Sequence, residues 1–341
     1  MQKSDIFFRF LLPFHKKVVH LHRKNKKIFN YYQLPKQSME IIKSFESMLN
    51  HLTQQEERKR VAVVWAADYN SQVSVQRALE AGFIDAIFVG CQKEVEQNND
   101  IMRFTDHVFF EPADDADGAA RRAVEMVHEG KVDVLMKGLI NTDNLLHVVL
   151  NKETGILPRG RVLTHITAAM LPNYDKLLFF TDSAVIPYPT HEQRIQQVHY
   201  VVDLCHKMGI EEPRIALNHC TEKVNEKYFP FTVGYREIVE MAEKGDFGRC
   251  IIDGPLDLKT SISPESLRIK GIDSPIGGEA DAVIFPDIEA GNVFYKAVTF
   301  FHGETAGMLV GPTVPVVLPS RADSKNCKFN SLALAAMMSH Q

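Results

Sequence analysis

A serine and an arginine lie where a buried apolar run meets a helical pattern, near the end of the sequence. Ser320 and Arg321 directly follow the apolar run 314–319, and Asp323 stands two residues later. Ligands of parallel α/β sheets bind beyond the carboxyl ends of strands, and the N-terminus of a helix attracts anions. Ser320 supplies a hydroxyl donor, and Arg321 supplies a planar fork that fits two phosphate oxygens. The segment therefore predicts an anion site, with simple helix capping by Asp323 or Ser324 as the equally weighted alternative.

Three other predicted strands also end in polar residues. Lys137 stands at the end of one strand, and residues 253–256 form a tight bend at the end of another. In the segment 281–296, a strand leads into a helix whose first turn contains Gly291. Glycine lowers helix propensity, so Gly291 is explained if another backbone or a ligand must approach closely. Each motif alone is weak evidence, but four together favour a ligand site at the strand ends.

Several catalytic motifs are missing from the sequence. There is no GxGxxG after a predicted strand, no GxxxxGK[ST], no HExxH and no GxSxG. Nicotinamide dehydrogenases, P-loop NTPases, zinc proteases and α/β-hydrolases therefore lose their sequence support. None of the 14 histidines has metal-ligand spacing with a partner, and we predict no metal site. The 5 cysteines are scattered without a CxxC pair, which indicates reduced thiols in a cytoplasmic protein.

The elements that must position these residues alternate along the chain from residue 60 onward. Short apolar runs predict strands at 61–65, 84–90, 132–136, 162–167, 177–180, 214–218, 250–253, 282–285 and 314–319. Helical spacing predicts helices at 71–82, 114–130, 142–152, 190–208 and 325–338, with another starting near residue 289. This alternation is typical of an α/β protein with a parallel sheet and crossover helices.

The size and charge of the chain limit its class. The 341 residues suffice for two domains, and 45% hydrophobic against 24% charged residues predicts a packed core. A net charge of −4 argues against a general nucleic-acid binder. The mean hydropathy is −0.15, and no run of about 18 uncharged apolar residues occurs, so we predict no membrane span.

Residues 1–38 differ in charge from everything that follows. They contain nine Lys or Arg and one acidic residue, a net charge of +8. Their apolar stretch 6–14 is short, contains Arg9 and is not followed by a cleavage site, so it does not fit a secretory signal. One interpretation is a basic arm that touches anionic lipid or nucleic acid. We favour the other, an extension outside the fold, with the domain starting at Met39.

Taken in order, these motifs resemble the phosphate acetyltransferase/phosphate butyryltransferase family, and the butyryl branch more than the acetyl branch. The resemblance covers about residues 40–338, and its most specific segments surround Gly291 and Ser320. The matching positions are Asp133–Gly138 with Thr142, Thr181–Ala184, Asp253–Leu256, Ala280–Asp281, Pro286–Asn292 with Tyr295 and Lys296, and Ser320–Ser324 with Lys328, Asn330 and Ser331.

The resemblance implies an enzyme that transfers an acyl group between coenzyme A and inorganic phosphate, forming an acyl phosphate, with no permanently bound cofactor. It also implies the α/β fold of isocitrate and isopropylmalate dehydrogenases, with two domains of parallel or mixed sheets and an active site in the cleft between them. We therefore assign residues 39–156 plus 305–341 to domain one and residues 157–304 to domain two. The expected partners are acyl-CoA and phosphate, and the expected assembly is a homodimer or a larger homo-oligomer.

The resemblance also implies roles for single residues. Arg321 would hold the phosphoryl oxygens, and Ser320 would donate a hydrogen bond to the developing oxyanion or the leaving oxygen. In the acetyl branch an aspartate seven residues after the serine is the thiol base. Cys327 stands at that position in this chain, and Asp323 is our candidate instead. The implied substrate-binding residues are Lys137, Gly138, Thr142, Gly291, Asn292, Lys296 and Asn330.

Alternative functions remain open at this level. Among enzymes they are a phosphate acetyltransferase and a relative that uses an acyl carrier protein. From another class comes a catalytically weak relative that senses acyl phosphate or coenzyme A, which the departure at Cys327 motivates. An acyl-carrying Cys327 or Ser320 is disfavoured, because neither has a recognisable base nearby in sequence. The acyl chain length is not readable, since one methylene group changes binding by only about 1–3 kcal/mol.

Overall fold

The computed structural model describes residues 40–319 and 323–339. Within these ranges, eleven strands form one mixed sheet that is flanked by helices. The predicted basic extension 1–38 and the predicted catalytic residues Ser320 and Arg321 lie outside the described residues. Contacts divide the chain into residues 1–40 and 41–341, and every described helix and strand belongs to the second part.

The described elements follow one another in the α/β order that the sequence predicts. The strands are β1 (Lys59–Val64), β2 (Ile84–Val89), β3 (Val108–Glu111), β4 (Val134–Lys137), β5 (Thr164–Met170), β6 (Leu177–Thr181), β7 (Arg214–Asn218), β8 (Ile251–Leu256), β9 (Ala282–Ile284), β10 (Glu304–Val310) and β11 (Val316–Val317). The α-helices are α1 (Phe45–Thr53), α2 (Tyr69–Ala81), α3 (Gln92–Glu96), α4 (Asn99–Met102), α5 (Ala116–His128), α6 (Thr142–Val149), α7 (His191–Lys207), α8 (Thr232–Lys244), α9 (Leu258–Ile262), α10 (Pro264–Lys270), α11 (Ile288–Phe300) and α12 (Lys325–Met338).

The sheet consists of two parallel blocks joined by two antiparallel strands. Its order is β3-β2-β1-β4-β11-β10-β5-β6-β9-β7-β8. The block β3-β2-β1-β4-β11 is parallel, as is the block β6-β9-β7-β8. Between them, β10 and β5 run antiparallel to each other and to their outer neighbours. The predicted α/β class is confirmed, and the expected parallel sheet is found in the two blocks but not at the junction.

The two strands that the sequence did not reveal are β3 and β10. The segment of β10 contains Gly307, which weakens a strand pattern because it offers no side chain to pack. The strand predicted at 314–319 is also shorter than expected, since only Val316 and Val317 pair. This short strand lies beside β4, and α12 packs against α1, α2 and β10. The division into domains at 39–156 plus 305–341 and at 157–304 stays a prediction.

Both faces of the first parallel block are buried. Val61 and Val63 of β1 belong to a cluster with α1, α2 and α12, whereas Ala62 and Val64 belong to one with α5 and α6. Burial on both faces explains why these strands are continuous apolar runs without alternation. None of the helices in the described ranges is long and apolar enough to cross a membrane.

Candidate active site

A cavity of about 460 Å³ lies between the second half of α11, the start of β10 and the first turns of α12. We call it the α11–α12 cavity. Three of the residues predicted from sequence, Lys296, Asp323 and Asn330, line it together. Lys296 is exposed, whereas Asn330 is only 5% exposed. The structure therefore brings a cation, a carboxylate and a buried amide to one concave surface, which suits a charged ligand.

Asp323 lies in a network with a phenol and a thiol. The Tyr295 hydroxyl donates to Asp323 Oδ1 at 3.3 Å, and the Thr305 hydroxyl donates to Cys327 Sγ at 3.5 Å. Burial raises the pKa of the Cys327 thiol, and the charge of Asp323 raises it further. Burial likewise raises the pKa of Tyr295, with Cys327 and Asp323 adding to the effect. Both groups are therefore neutral at pH 7, and Cys327 is a poor nucleophile and a poor base there.

The N-terminus of α12 is capped by Ser324. Its hydroxyl accepts a hydrogen bond from the backbone N–H of Cys327 at 3.1 Å. Of the two residues proposed as the cap, Ser324 has that role, and the Asp323 side chain points to Tyr295 instead. Ser324, and not Asp323, is therefore the residue that caps this helix.

Lys137, Gly138 and Thr142 lie at the carboxyl end of β4 and the start of α6. They do not line the α11–α12 cavity. Lys137 is 8% exposed, and its ammonium donates to the carbonyl of Gly138 at 3.3 Å. Gly138 has no room for a side chain, because a Cβ would lie 2.5 Å from the carbonyl oxygen of Trp65. Thr142 is exposed in the first turn of α6.

Gly291 and Asn292 attach α11 to the turn that follows β6. A Cβ on Gly291 would lie 2.1 Å from the carbonyl oxygen of Asp182. The Asn292 side-chain amide donates to the carbonyl of Ser183 at 2.9 Å. The prediction that Gly291 permits a close approach is confirmed, and the group that approaches is the backbone at Asp182. The substrate-binding roles of both residues stay predictions.

A histidine that the sequence did not single out lies beside this turn. His165, on β5, has its Nδ1 3.1 Å from Ser183 Oγ and 3.3 Å from Thr167 Oγ1. Burial lowers the pKa of His165, while the charges of Asp182 and Asp323 oppose this shift. Sequence spacing gave no signal for it, because His165 lies on β5 and Ser183 in the turn after β6, and the two meet only through the β5–β6 pairing.

Comparison with known proteins places the chain in a family. Residues 116–336 match the family model described as phosphate acetyl/butaryl transferase. The chain belongs to this phosphate acetyl/butyryl transferase family. The resemblance inferred from the motifs is therefore confirmed. Within the described residues, no group of three or more His, Cys, Asp or Glu side chains could hold a metal ion.

Individual members of the family are similar over most of the chain. A phosphate butyryltransferase from Clostridium acetobutylicum is 38% identical over 304 residues, which cover 87% of this chain and 99% of the relative. A phosphate acetyltransferase from Thermotoga maritima is 39% identical over 220 residues, covering 64% of this chain and 74% of the relative.

Solved structures show the same fold. A branched-chain phosphotransacylase from Enterococcus faecalis V583 has a TM-score of 0.72 at 30% identity, covering 83% of this chain and all 100% of its own. A proposed 4-hydroxythreonine-4-phosphate dehydrogenase from Salmonella typhimurium has a TM-score of 0.52 at 12% identity, covering 83% of this chain and 100% of its own. The second likeness concerns the fold alone, and it agrees with the dehydrogenase-like fold expected from the motifs.

Proposed function

We propose that this protein transfers a butyryl or similar short acyl group between coenzyme A and inorganic phosphate, forming an acyl phosphate. The observation that carries the proposal is the family membership, with an alignment that spans 99% of a phosphate butyryltransferase. The meeting of Lys296, Asp323 and Asn330 at one cavity supports it, because both substrates are anionic and one must lose a proton.

The proposed transfer uses a complex that holds both substrates at once. The thiolate of coenzyme A attacks the acyl carbonyl, and phosphate leaves. Arg321 binds the phosphoryl oxygens through its planar guanidinium, and Ser320 donates to the oxygen on which charge develops. A free thiol ionises near pH 8.5, so the reaction at neutral pH needs a base. Asp323 is the carboxylate that we place at this proton transfer.

Binding of coenzyme A is assigned to the remaining predicted residues. Lys296 is exposed at the α11–α12 cavity, where its positive charge suits a phosphate group of coenzyme A. Asn330 supplies amide hydrogen bonds from within the cavity. We propose that Lys137, Gly138 and Thr142, at the carboxyl end of β4, also bind these substrates. Gly291 and Asn292 set the position of α11.

The acyl group is the first point to measure. Release of coenzyme A is followed with acetyl-, propionyl-, butyryl- and branched acyl-CoA in the presence of phosphate. We expect the highest kcat/KM with butyryl-CoA or a close branched analogue, because the butyryltransferase alignment spans more of the chain than the acetyltransferase alignment. The highest value with acetyl-CoA would favour a phosphate acetyltransferase, and binding without release would favour a sensor.

Further properties complete the proposal. We propose that no cofactor or metal is bound permanently, so chelation leaves turnover intact once ionic effects are controlled. We also propose a cytoplasmic homodimer or larger homo-oligomer. Phe300 and Phe301 support association, since they are 77% and 69% exposed at the end of α11. Light scattering of the purified protein measures its mass, and a monomeric mass at working concentrations contradicts the oligomer.

A further inference from the structure

The two ring nitrogens of His165 lie against different parts of the protein. Its Nδ1 edge contacts the hydroxyls of Ser183 and Thr167. Ser183 is 2% exposed and Thr167 is 0% exposed. These hydroxyls are too buried to attack a substrate, so they serve to hold the imidazole ring. His165 as a whole is half-buried.

The Nε2 edge of His165 points toward β10 and α12. A Cβ on Gly307 would lie 2.6 Å from His165 Nε2, so only a glycine at this position leaves room for the ring. The backbone N–H of Gly307 donates to Ser331 Oγ of α12 at 2.9 Å. Asp323, at the start of α12, acts on the imidazole by its charge. The Nε2 edge of the ring therefore lies beside β10, whose Gly307 is bonded to the helix that follows Asp323.

The turn that holds Ser183 is rigidly built. The Asp182 carboxylate is 2% exposed. It accepts hydrogen bonds from the backbone N–H groups of Ala184, Val185, Ile186 and His165 and from the Thr164 hydroxyl. A carboxylate that accepts this many hydrogen bonds is held in one orientation. It fixes Ser183 and, through Ser183, the orientation of His165, which is the kind of support that a reacting group requires.

Burial favours a neutral His165 ring, and the charged groups around it oppose that shift. Burial lowers the pKa of His165, and the carboxylates of Asp182 and Asp323 favour the imidazolium only in part. Cys327 and Tyr295, which lie next to Asp323, are both neutral because burial raises the pKa of each. Neither of them competes with the imidazole as a base at pH 7.

We propose that His165 Nε2 accepts the proton of the coenzyme A thiol and that Asp323 stabilises the resulting imidazolium. This inference rests on the proposed acyl transfer. The S–H proton moves to Nε2 while Nδ1–H donates to Ser183 Oγ. The thiolate sulfur forms a bond to the acyl carbon, the bond from that carbon to the phosphate oxygen breaks, and the proton passes to the departing phosphate. In reverse, the imidazolium returns its proton to the departing thiolate.

The test uses the full chain and the rate of thioester formation from butyryl phosphate and coenzyme A across pH. A base must be unprotonated, so we expect kcat/KM for coenzyme A to fall as pH drops through the pKa of His165, which burial lowers from its ordinary value. His165→Gln should lower kcat by about 100-fold or more and abolish this acid limb. The matched control is His128→Gln on the exposed end of α5, which should keep both the rate and the profile.

A second variant keeps the imidazole but moves it. Gly307→Ala places a methyl group against the ring, so we expect a loss of kcat with smaller change in KM. Wild-type rates within threefold and an unchanged acid limb in His165→Gln would overturn the inference. If His165→Gln does not fold, a wild-type profile without an ionisation below pH 7, or full activity of Gly307→Ala, overturns it as well. A wild-type protein without any transfer contradicts the proposed function rather than the role of His165.

Discussion

Cys327 stands at the position where the resemblance implies an aspartate in the acetyl branch, and the surroundings of its thiol are those of a neutral group. Its thiol lies between Thr305 and the charge of Asp323, and its pKa is raised by burial. A neutral thiol cannot take over the work of a carboxylate base. We propose that Asp323, four residues earlier, carries the charge that this role requires; its Oδ1 accepts a hydrogen bond from the Tyr295 hydroxyl.

Arg321 is the residue on which the proposed phosphate binding depends most. We expect Arg321→Ala to lower kcat and to weaken phosphate binding, by about 2–4 kcal/mol in total, because its contact strengthens as charge develops on the leaving phosphate. Arg321→Lys should recover only part of the loss, since lysine lacks the bidentate fork. Steady-state kinetics with phosphate varied, together with direct butyryl-CoA binding, measure both effects. A folded Arg321→Ala variant with near-wild-type kcat/KM for phosphate contradicts the assignment.

Asp133 belongs to one of the motifs that resemble the family, and its carboxylate binds Arg60. Its carboxylate accepts from Arg60 Nε at 2.9 Å and from the Arg60 backbone N–H at 2.8 Å, which ties the start of β4 to β1. Burial acts against the charged form, but the hydrogen bonds of Arg60 prevail and lower the pKa of Asp133. The stabilisation is therefore present above about pH 4 and is lost as pH falls through the lowered pKa.

We expect Asp133→Asn to reduce the free energy of unfolding at pH 7 by about 1–2 kcal/mol, a modest value because Arg60 is partly exposed. The difference from wild type should shrink as pH falls below about 4. Urea unfolding of both proteins at pH 7 and below pH 4 measures the difference in the free energy of unfolding. Turnover at pH 7 is the second measurement. An unchanged stability at pH 7 would show that the contact contributes nothing.

At the scale of elements, the packing of α11 on the turn after β6 connects the cavity to the His165 region. Gly291 brings the helix backbone against Asp182, and Asn292 binds the carbonyl of Ser183. Further along the same helix, Tyr295 and Lys296 line the α11–α12 cavity. A displacement of the start of α11 would therefore move residues of the α11–α12 cavity and the turn that contacts His165.

We expect Gly291→Ala to lower the melting temperature and the activity, because its Cβ would overlap the Asp182 carbonyl oxygen at 2.1 Å. The matched control is Gly118→Ala, also in the first turn of a helix, where the nearest atom is a side-chain oxygen of Asp115 at 3.2 Å. This control should change stability by no more than about 0.5 kcal/mol. Equal melting temperatures for the two variants would contradict the close packing of α11.

At the scale of the whole molecule, we expect a variant that begins at Met39 to keep its stability and activity nearly unchanged. The described helices and strands all lie between residues 45 and 338. Thermal unfolding and coenzyme A release, each compared with the full chain, measure the effect. Loss of soluble, active protein would show that the basic extension takes part in folding or catalysis.

The sequence by itself determined the family, the α/β class and most of the element positions. Hydrophobic periodicity and the residues that begin and end helices are local features of the sequence. They placed β1, α7 and α12 within a few residues of their observed bounds. Motifs such as Gly291–Asn292 were also readable, since a glycine in a helix start requires a close neighbour. The neighbour itself, the backbone at Asp182, was not readable from the sequence.

Only the tertiary structure decided which side chains meet. Lys296, Asp323 and Asn330 share a cavity, whereas Lys137 and Thr142 lie elsewhere, because α11, β10 and α12 converge through long-range packing. The pairing of His165 with Ser183 depends on the antiparallel register of β5 and β6. The approach of His165 to Gly307 depends on β10, a strand with too weak a local pattern to predict. Register and packing between distant segments are set by the whole core, so local sequence patterns do not contain them.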